Sequence, residues 1–292
     1  MDFSNDGKYL LTCGLDGGVR LWLTDLGRCV VNYRSFSTPA WCVRFSPKNR
    51  CFCVCSEGGI VYMYNTDDIQ YARRFVASLM DIYVCEWSVV SMGAIILGTA
   101  SGDTYLCNAD TGELMRQYIG NGSAVTAISF INYSHFLMAG YEDGSLSVYQ
   151  TSNCKRVALV HGHKKAVRKI VYNSDKNTIM SISEDGHIKI WEFIVNMEEV
   201  DKQSRLEKQP LSSYSFFEEP SQPEPREPTV ALNQLKCYSV DGLHLVDAVY
   251  VKKDVVMVAG LFDSYVCNIL SSAVKRSISK SEYKHSNNHK SK

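Results

Sequence analysis

The residues best suited to chemistry crowd into one short part of the chain: "HGHKKAV" carries His161 and His163, and "SISEDGHIKIW" carries Ser181, Ser183, Glu184, Asp185 and His187. Two reactive readings compete. His161 and His163 could offer ring nitrogens from one strand face, with Asp185 or His187 completing a shell of the donors that zinc prefers. Ser181 or Ser183 could be a nucleophile, with His163 as its base and Asp185 orienting the base. The metal reading has no second strong motif beside "HGH". The hydrolase reading has neither a nucleophile elbow nor an oxyanion-hole glycine run around either serine. A third reading joins the same side chains by hydrogen bonds inside the fold and needs no cleft.

"CFCVC" (Cys51, Cys53, Cys55) is the other reactive cluster. Cysteines at a period of two project from one face of a strand, which suits packing better than wrapping a tetrahedral ion. Eleven cysteines is an odd number, and most lie in apolar runs, so buried reduced thiols are expected rather than a disulfide framework. The opening "MDFSNDGKYL" has no leader pattern and no apolar run is long enough to cross a bilayer, so the chain reads as intracellular. With 45% hydrophobic and 21% charged residues it can bury a substantial core. Its 31 basic and 31 acidic residues cancel, so no global field draws it to nucleic acid or to an anionic membrane.

The elements that must position the reactive residues emerge from self-comparison. "TCGLDGGVRLW", "CVCSEGGIVYMY", "GTASGDTYLC", "AGYEDGSLSVY" and "SISEDGHIKIW" share one template and close on Trp22, Tyr64, Cys107, Tyr149 and Trp191. The closing residues are 42, 43, 42 and 42 apart, the period of a four-stranded propeller blade. Each period reads as a half-buried strand ("AVTAISF", "AVRKIVY"), a second strand ("FLMAG", "TIMSI"), a turn and third strand, and a fourth segment ("ELMRQY", "KRVALV"). This predicts an all-β chain.

The "GH" of Gly162-His163, the "DG" turn of Asp185-Gly186 and the closing Trp191 resemble the WD40 family over residues 1 to about 194. The resemblance implies a β-propeller, of which about six blades are visible, the first incomplete, where the family has seven. It also implies a structural network of Asp185, His163, Ser181 (or Ser183) and Trp191 within the blade, and no catalytic, cofactor or metal residues. At the "GH" position other units have Ser35-Phe36, Ala77-Ser78 and Gly120-Asn121, so those blades are expected to rely on packing.

A sixth unit, "VMVAGLFDSYVCNI", aligns Cys267 with Cys107 and lies 76 residues after Trp191, which places 34 extra residues between them. The domain reading is therefore 1–194 blades, 195–233 an acidic inserted loop holding five of the seven prolines, 234–274 the last blade, and 275–292 a disordered basic tail. The start at "MDFSNDG" matches the end of a first strand, so the opening blade is expected to lack most of that strand.

"YNTDDIQYARRFVASLMDIYVCEWS", and the polar insertion after "IWEFIVNMEEV" followed by "LHLVDAVYVKKDVVMVAG", are similar to the C-terminal propeller of the TFIID subunit 5 family of TBP-associated factors. That resemblance implies a nuclear, non-catalytic scaffold in RNA polymerase II initiation, with histone-fold TBP-associated factors and the TBP complex as partners. Small-molecule substrates and membranes play no part, and nucleic acid is met only indirectly. The alternatives are a SAGA-type coactivator subunit, a ubiquitin-ligase substrate receptor or another WD40 adaptor, with a propeller enzyme the reading from a different class. Lys165, Arg168 and Glu184, on the loops of one rim, are the candidate partner contacts.

Overall fold

The computed structural model describes residues 1–33, 38–68, 71–88, 93–131, 135–195, 230–240, 243–252, 255–262 and 269–270. Strands β1 (Asp2–Phe3), β2 (Tyr9–Cys13), β3 (Val19–Leu23) and β4 (Arg28–Tyr33) form the first sheet, and β5 (Ala40–Phe45), β6 (Cys51–Ser56), β7 (Ile60–Asn65) and β8 (Tyr71–Val76) the second. The third comprises β9 (Ile82–Trp87), β10 (Ala94–Thr99), β11 (Thr104–Asn108) and β12 (Leu114–Tyr118). The fourth comprises β13 (Val125–Ile131), β14 (Phe136–Tyr141), β15 (Ser145–Gln150) and β16 (Arg156–His161). The fifth joins β17 (Val167–Asn173), β18 (Thr178–Ser183), β19 (His187–Val195) and β20 (Val230–Ser239). The last, three-stranded among the described residues, holds β21 (Leu243–Lys252), β22 (Val255–Phe262) and β23 (Ile269–Leu270). All pairings are antiparallel between sequence neighbours, and no helix among the described residues is long and apolar enough to cross a membrane.

First strands of consecutive sheets touch, β5 against β9, β9 against β13, β13 against β17 and β17 against β21, so the sheets radiate with their first strands innermost. Burial follows. Second strands such as "AIILGT" and "FLMAGY" are buried along their whole length, because both faces are covered, and their sequences are continuous apolar runs. Fourth strands such as "RCVVNY" alternate and face outward. Each junction between consecutive sheets is one apolar cluster, for example Leu11, Val19, Tyr33, Phe52 and Tyr64 between the first and second. Glycine enters where two sheets approach closely: a Cβ on Gly98 would lie 2.6 Å from Val125, and one on Gly140 2.7 Å from Val167.

Cys53 and Cys55, from "CFCVC", face the junction of the second and third sheets together with Cys42 and Cys85. The Cys85 sulfur lies 3.5 Å from both Cys42 and Cys53. Hydrogen bonding to neighbouring thiols and burial push Cys42 and Cys55 up, and burial alone pushes Cys107 up to about 11, so these three pack as neutral thiols. At Cys53 burial acts in the same sense, but hydrogen bonds from Cys55 and Cys85 hold the thiol below its ordinary range. The ten described cysteines are free.

The inserted segment has the 34 residues that the repeat spacing predicts, but it spans 196–229 rather than 195–233. Val195 is the last residue of β19, and Val230–Ser239 pairs with β19 from Val195↔Val230 to His187↔Ser239. Residues 230–239 thus complete the fifth sheet, and the last sheet begins at Leu243 rather than at residue 234. An outermost strand needs only its backbone ladder, so "VALNQLKCYS" carries no buried alternation to read, and it satisfies N–H and C=O groups that β19 would otherwise leave open. The intervening residues 196–229, including "SYSFFEEP", and the tail 275–292 lie outside the described residues. At the other end, β1 is two residues long and pairs with Leu10 and Leu11.

Candidate functional site at the turn end of the sheets

The turns between second and third strands and the loops entering each first strand lie at the same end of the sheets, and the histidine and carboxylates sit there. In the fifth sheet the "SEDG" turn projects Asp185 toward the entry loop that carries His163. The indole N–H of Trp191 can only donate, and it donates to Ser181 Oγ at 2.8 Å. Ser181 therefore gives its own proton to His163 Nε2 at 2.7 Å, which leaves Nδ1–H facing the Asp185 carboxylate at 3.2 and 3.3 Å. Asp185 also accepts the backbone N–H groups of Lys164 (2.9 Å) and His187 (3.0 Å). Ser183 accepts from the Asp185 N–H at 3.1 Å and donates to the Lys165 carbonyl at 2.9 Å, tying turn to entry loop.

Electrostatics fixes the protonation states. Burial holds His163 down at about 4 against the pull of Asp185, so the imidazole is neutral at pH 7. At Asp185 burial acts in the opposite sense, but the N–H donors of Lys164 and His187, with His163 beside them, keep the carboxyl below its ordinary range.

Serine, histidine and aspartate stand here in the order of a hydrolase triad. Ser181 has no exposed surface, the His163 side chain has none, and the serine's acceptor site is filled by the indole. No substrate reaches the oxygen. His161 is exposed at the end of β16 in the neighbouring sheet, and His187 turns its Nδ1 to the Asp185 carbonyl at 2.9 Å. Among the described residues no group of three or more His, Cys, Asp or Glu is placed to hold a metal ion.

The equivalent positions differ from sheet to sheet. In the first, Trp22 donates to Thr12 Oγ1 at 2.9 Å and Asp16 accepts the Gly18 N–H at 3.0 Å, a partial version of the same chain. The fourth sheet departs from the expectation that it relies on packing. Asn121, at the histidine position, donates to Asp143 at 3.0 Å and Ser145 at 2.7 Å, while Tyr141 donates to the Tyr149 oxygen at 2.7 Å and Tyr149 to the Ile119 carbonyl at 2.9 Å. The amide and the two phenols take over from imidazole and indole because each still offers a donor at the required place. Ser35 and Phe36 lie outside the described residues.

Around this interior the partner candidates are surface groups. Lys165 and Arg168 are exposed, and Arg168 forms a two-pronged ion pair with Glu184, its Nε 2.7 Å from Oε1. Arg168 occupies a position that sequence reasoning left ungrouped. In five sheets the first strand carries one extra residue at this end, and these residues are Trp41, Tyr83, Thr126, Arg168 and Val246. A bulge re-aims one side chain out of the ladder, and Trp41 and Tyr83 meet edge to face at 5.2 Å. Their spacings of 42, 43 and 42 up to Arg168 repeat the period of the closing residues, which is the signal that could have found them.

The WD domain, G-beta repeat family matches residues 1–22, 27–65, 112–150 and 153–192. The Periodic tryptophan protein 2 homolog of Dictyostelium discoideum is 26% identical over 194 residues, covering 65% of this chain and 21% of that protein. Human Transducin beta-like protein 2 is 25% identical over 222 residues, covering 66% and 47%. The chain therefore spans less than half the length of these relatives. Among solved structures, the β-propeller domain of Myceliophteria thermophila Cps50 (Swd1) superposes with a TM-score of 0.66 at 13% identity, over 92% of this chain and 84% of that one. The chain folds as a β-propeller, and the four segments above are similar to the WD-type repeat.

Proposed function

We propose that this chain is a non-catalytic scaffold that holds other proteins against the turn end of its sheets. The observation that carries the proposal is a division of labour at that end. Ser181, His163 and Asp185 are locked inside the fifth sheet, while Lys165 and the 93% exposed Leu79 stand on entry loops around the rim and Arg168 on the bulge of β17. Exposed loops with mixed apolar and charged tips suit surface complementarity rather than turnover.

The finer reading is a nuclear subunit of a TFIID-type initiation complex whose partners are histone-fold TBP-associated factors. It rests on the sequence similarity of "YNTDDIQYARRFVASLMDIYVCEWS" and of the segment after the insertion; neither relative described above bears the name of such a subunit. Affinity purification of the endogenous protein tests both levels. Recovery of TBP and histone-fold subunits in stoichiometric amounts supports the TFIID reading, and recovery of SAGA-type coactivator or ubiquitin-ligase subunits instead overturns it. Paired Lys165→Ala and Arg168→Ala substitutions that leave every partner bound overturn the turn-end surface.

A further inference from the structure

At the opposite end of the sheets a groove of about 520 Å³ opens between the second and third, within the range of about 300–1,000 Å³ in which ligands are held. Met63, Tyr64, Trp87 and Ala109 contribute its apolar lining. The Trp87 N–H already donates to the Arg44 carbonyl at 3.3 Å, so the indole has only its ring to offer an occupant. One wall is the loop between β5 and β6, with Lys48 and Arg50, both exposed and neither in an ion pair among the described residues. On another side Arg73 of β8 bridges to Asp110 of the third sheet at 3.1 Å.

The lining thus carries three cations and one carboxylate, on a chain whose total charge is zero. Asp67 and Asp68 lie with Arg50 around a neighbouring depression, and with Asp110 they flank the cations by carboxylates. A continuous polyanion such as a nucleic-acid backbone would be repelled on both sides. A few carboxylates placed at Lys48 and Arg50 would not be.

We infer that this groove binds a short acidic segment of a partner protein, which lays one aromatic or large aliphatic side chain against Trp87 and sets its carboxylates against Lys48 and Arg50. Exposed ion pairs add little affinity individually, so the apolar anchor supplies most of the binding and the charges supply rate and selectivity. The groove is separate from the turn end and does not depend on the function proposed for it.

The test uses the full chain and a fluorescein-labelled peptide, Gly-Asp-Glu-Phe-Glu-Asp-Gly, followed by anisotropy. Saturable binding is expected, weakened about tenfold or more when the peptide's Phe is replaced by Ala, when its acids are replaced by lysines, or in a Lys48→Glu, Arg50→Glu double variant. Binding should also fall as salt rises from about 50 to about 500 mM. Both substituted side chains are exposed, so an unchanged melting temperature verifies that the variant folds. Absence of saturable binding, equal binding of the lysine peptide, or full binding by the double variant overturns the proposal. So does tighter binding of a labelled oligothymidylate that the double variant abolishes.

Discussion

In the fifth sheet the closing Trp191 feeds a chain of hydrogen bonds through Ser181 and His163 to Asp185; in the second, the closing Tyr64 stacks on Phe52 with ring centroids 4.9 Å apart and planes 2° from parallel, and Tyr33 meets both edge-on. The hydroxyl of Tyr33 is buried there without a partner among the described residues. Both arrangements place a large flat side chain where the outer strand bulges, since Tyr64 and Trp191 each stand at the register shift between third and fourth strands. What this position needs is ring volume. A polar chain behind the ring is one way to fix its orientation and a neighbouring aromatic is another.

Removing the ring stack should do the greatest damage. Phe52→Ala empties a fully buried site against Tyr33, Phe45 and Tyr64, and should lower stability by about 3–5 kcal/mol, read as a shift of the urea midpoint. Ser181→Ala, which deletes a single oxygen, strands the indole N–H and the imidazole Nε2 together and should remove about 2–4 kcal/mol; a loss no larger than that of an average buried serine would sink the cooperative chain.

Acid separates the two sheets further. His163 stays neutral down to about 4 in the folded protein but protonates near 6.5 when unfolded, so its stabilisation is complete above about pH 6.5 and is lost as pH falls toward 4. Asp185, also lowered, loses its contribution in the same direction at more acid pH. The loss attributable to His163 should approach about 3 kcal/mol, and a His163→Asn variant, which copies the Asn121 arrangement of the fourth sheet, should flatten this part of a melting-temperature profile. Tyr149→Phe in the fourth sheet leaves the Tyr141 hydroxyl and the Ile119 carbonyl without their bonds and should remove about 1–2 kcal/mol by the same urea measurement. Arg168→Ala breaks only an exposed ion pair, so its stability change should stay below about 0.5 kcal/mol while partner recovery falls.

Much of this was legible in the residues. The spacing of Trp22, Tyr64, Cys107, Tyr149 and Trp191 placed the third strands, and the apolar runs between them placed the second strands. The residue types at 163, 181, 185 and 191 indicated a network because an indole N–H, a hydroxyl, an imidazole and a carboxylate can be joined in only a few ways. Strand β20 was not legible, since an outer strand after a long insertion has a backbone ladder but no buried face. Nor was the polar wiring of the fourth sheet, where Asn121 and Tyr141 do not resemble the histidine and serine of the fifth.

By itself the sequence determined the repeat, the all-β character and the positions of the five closing residues from Trp22 to Trp191, because period-two burial and turn chemistry are properties of neighbouring residues; Cys267 lies outside the described residues. Only the tertiary structure decided that Ser181 is sealed rather than reactive, that Cys42, Cys53 and Cys85 share one junction, and that Lys48, Arg50 and Trp87 border one groove. Exposure and hydrogen-bond direction depend on which distant strands come to lie beside each other, and sheets that meet only after the chain has turned through a whole repeat fix both.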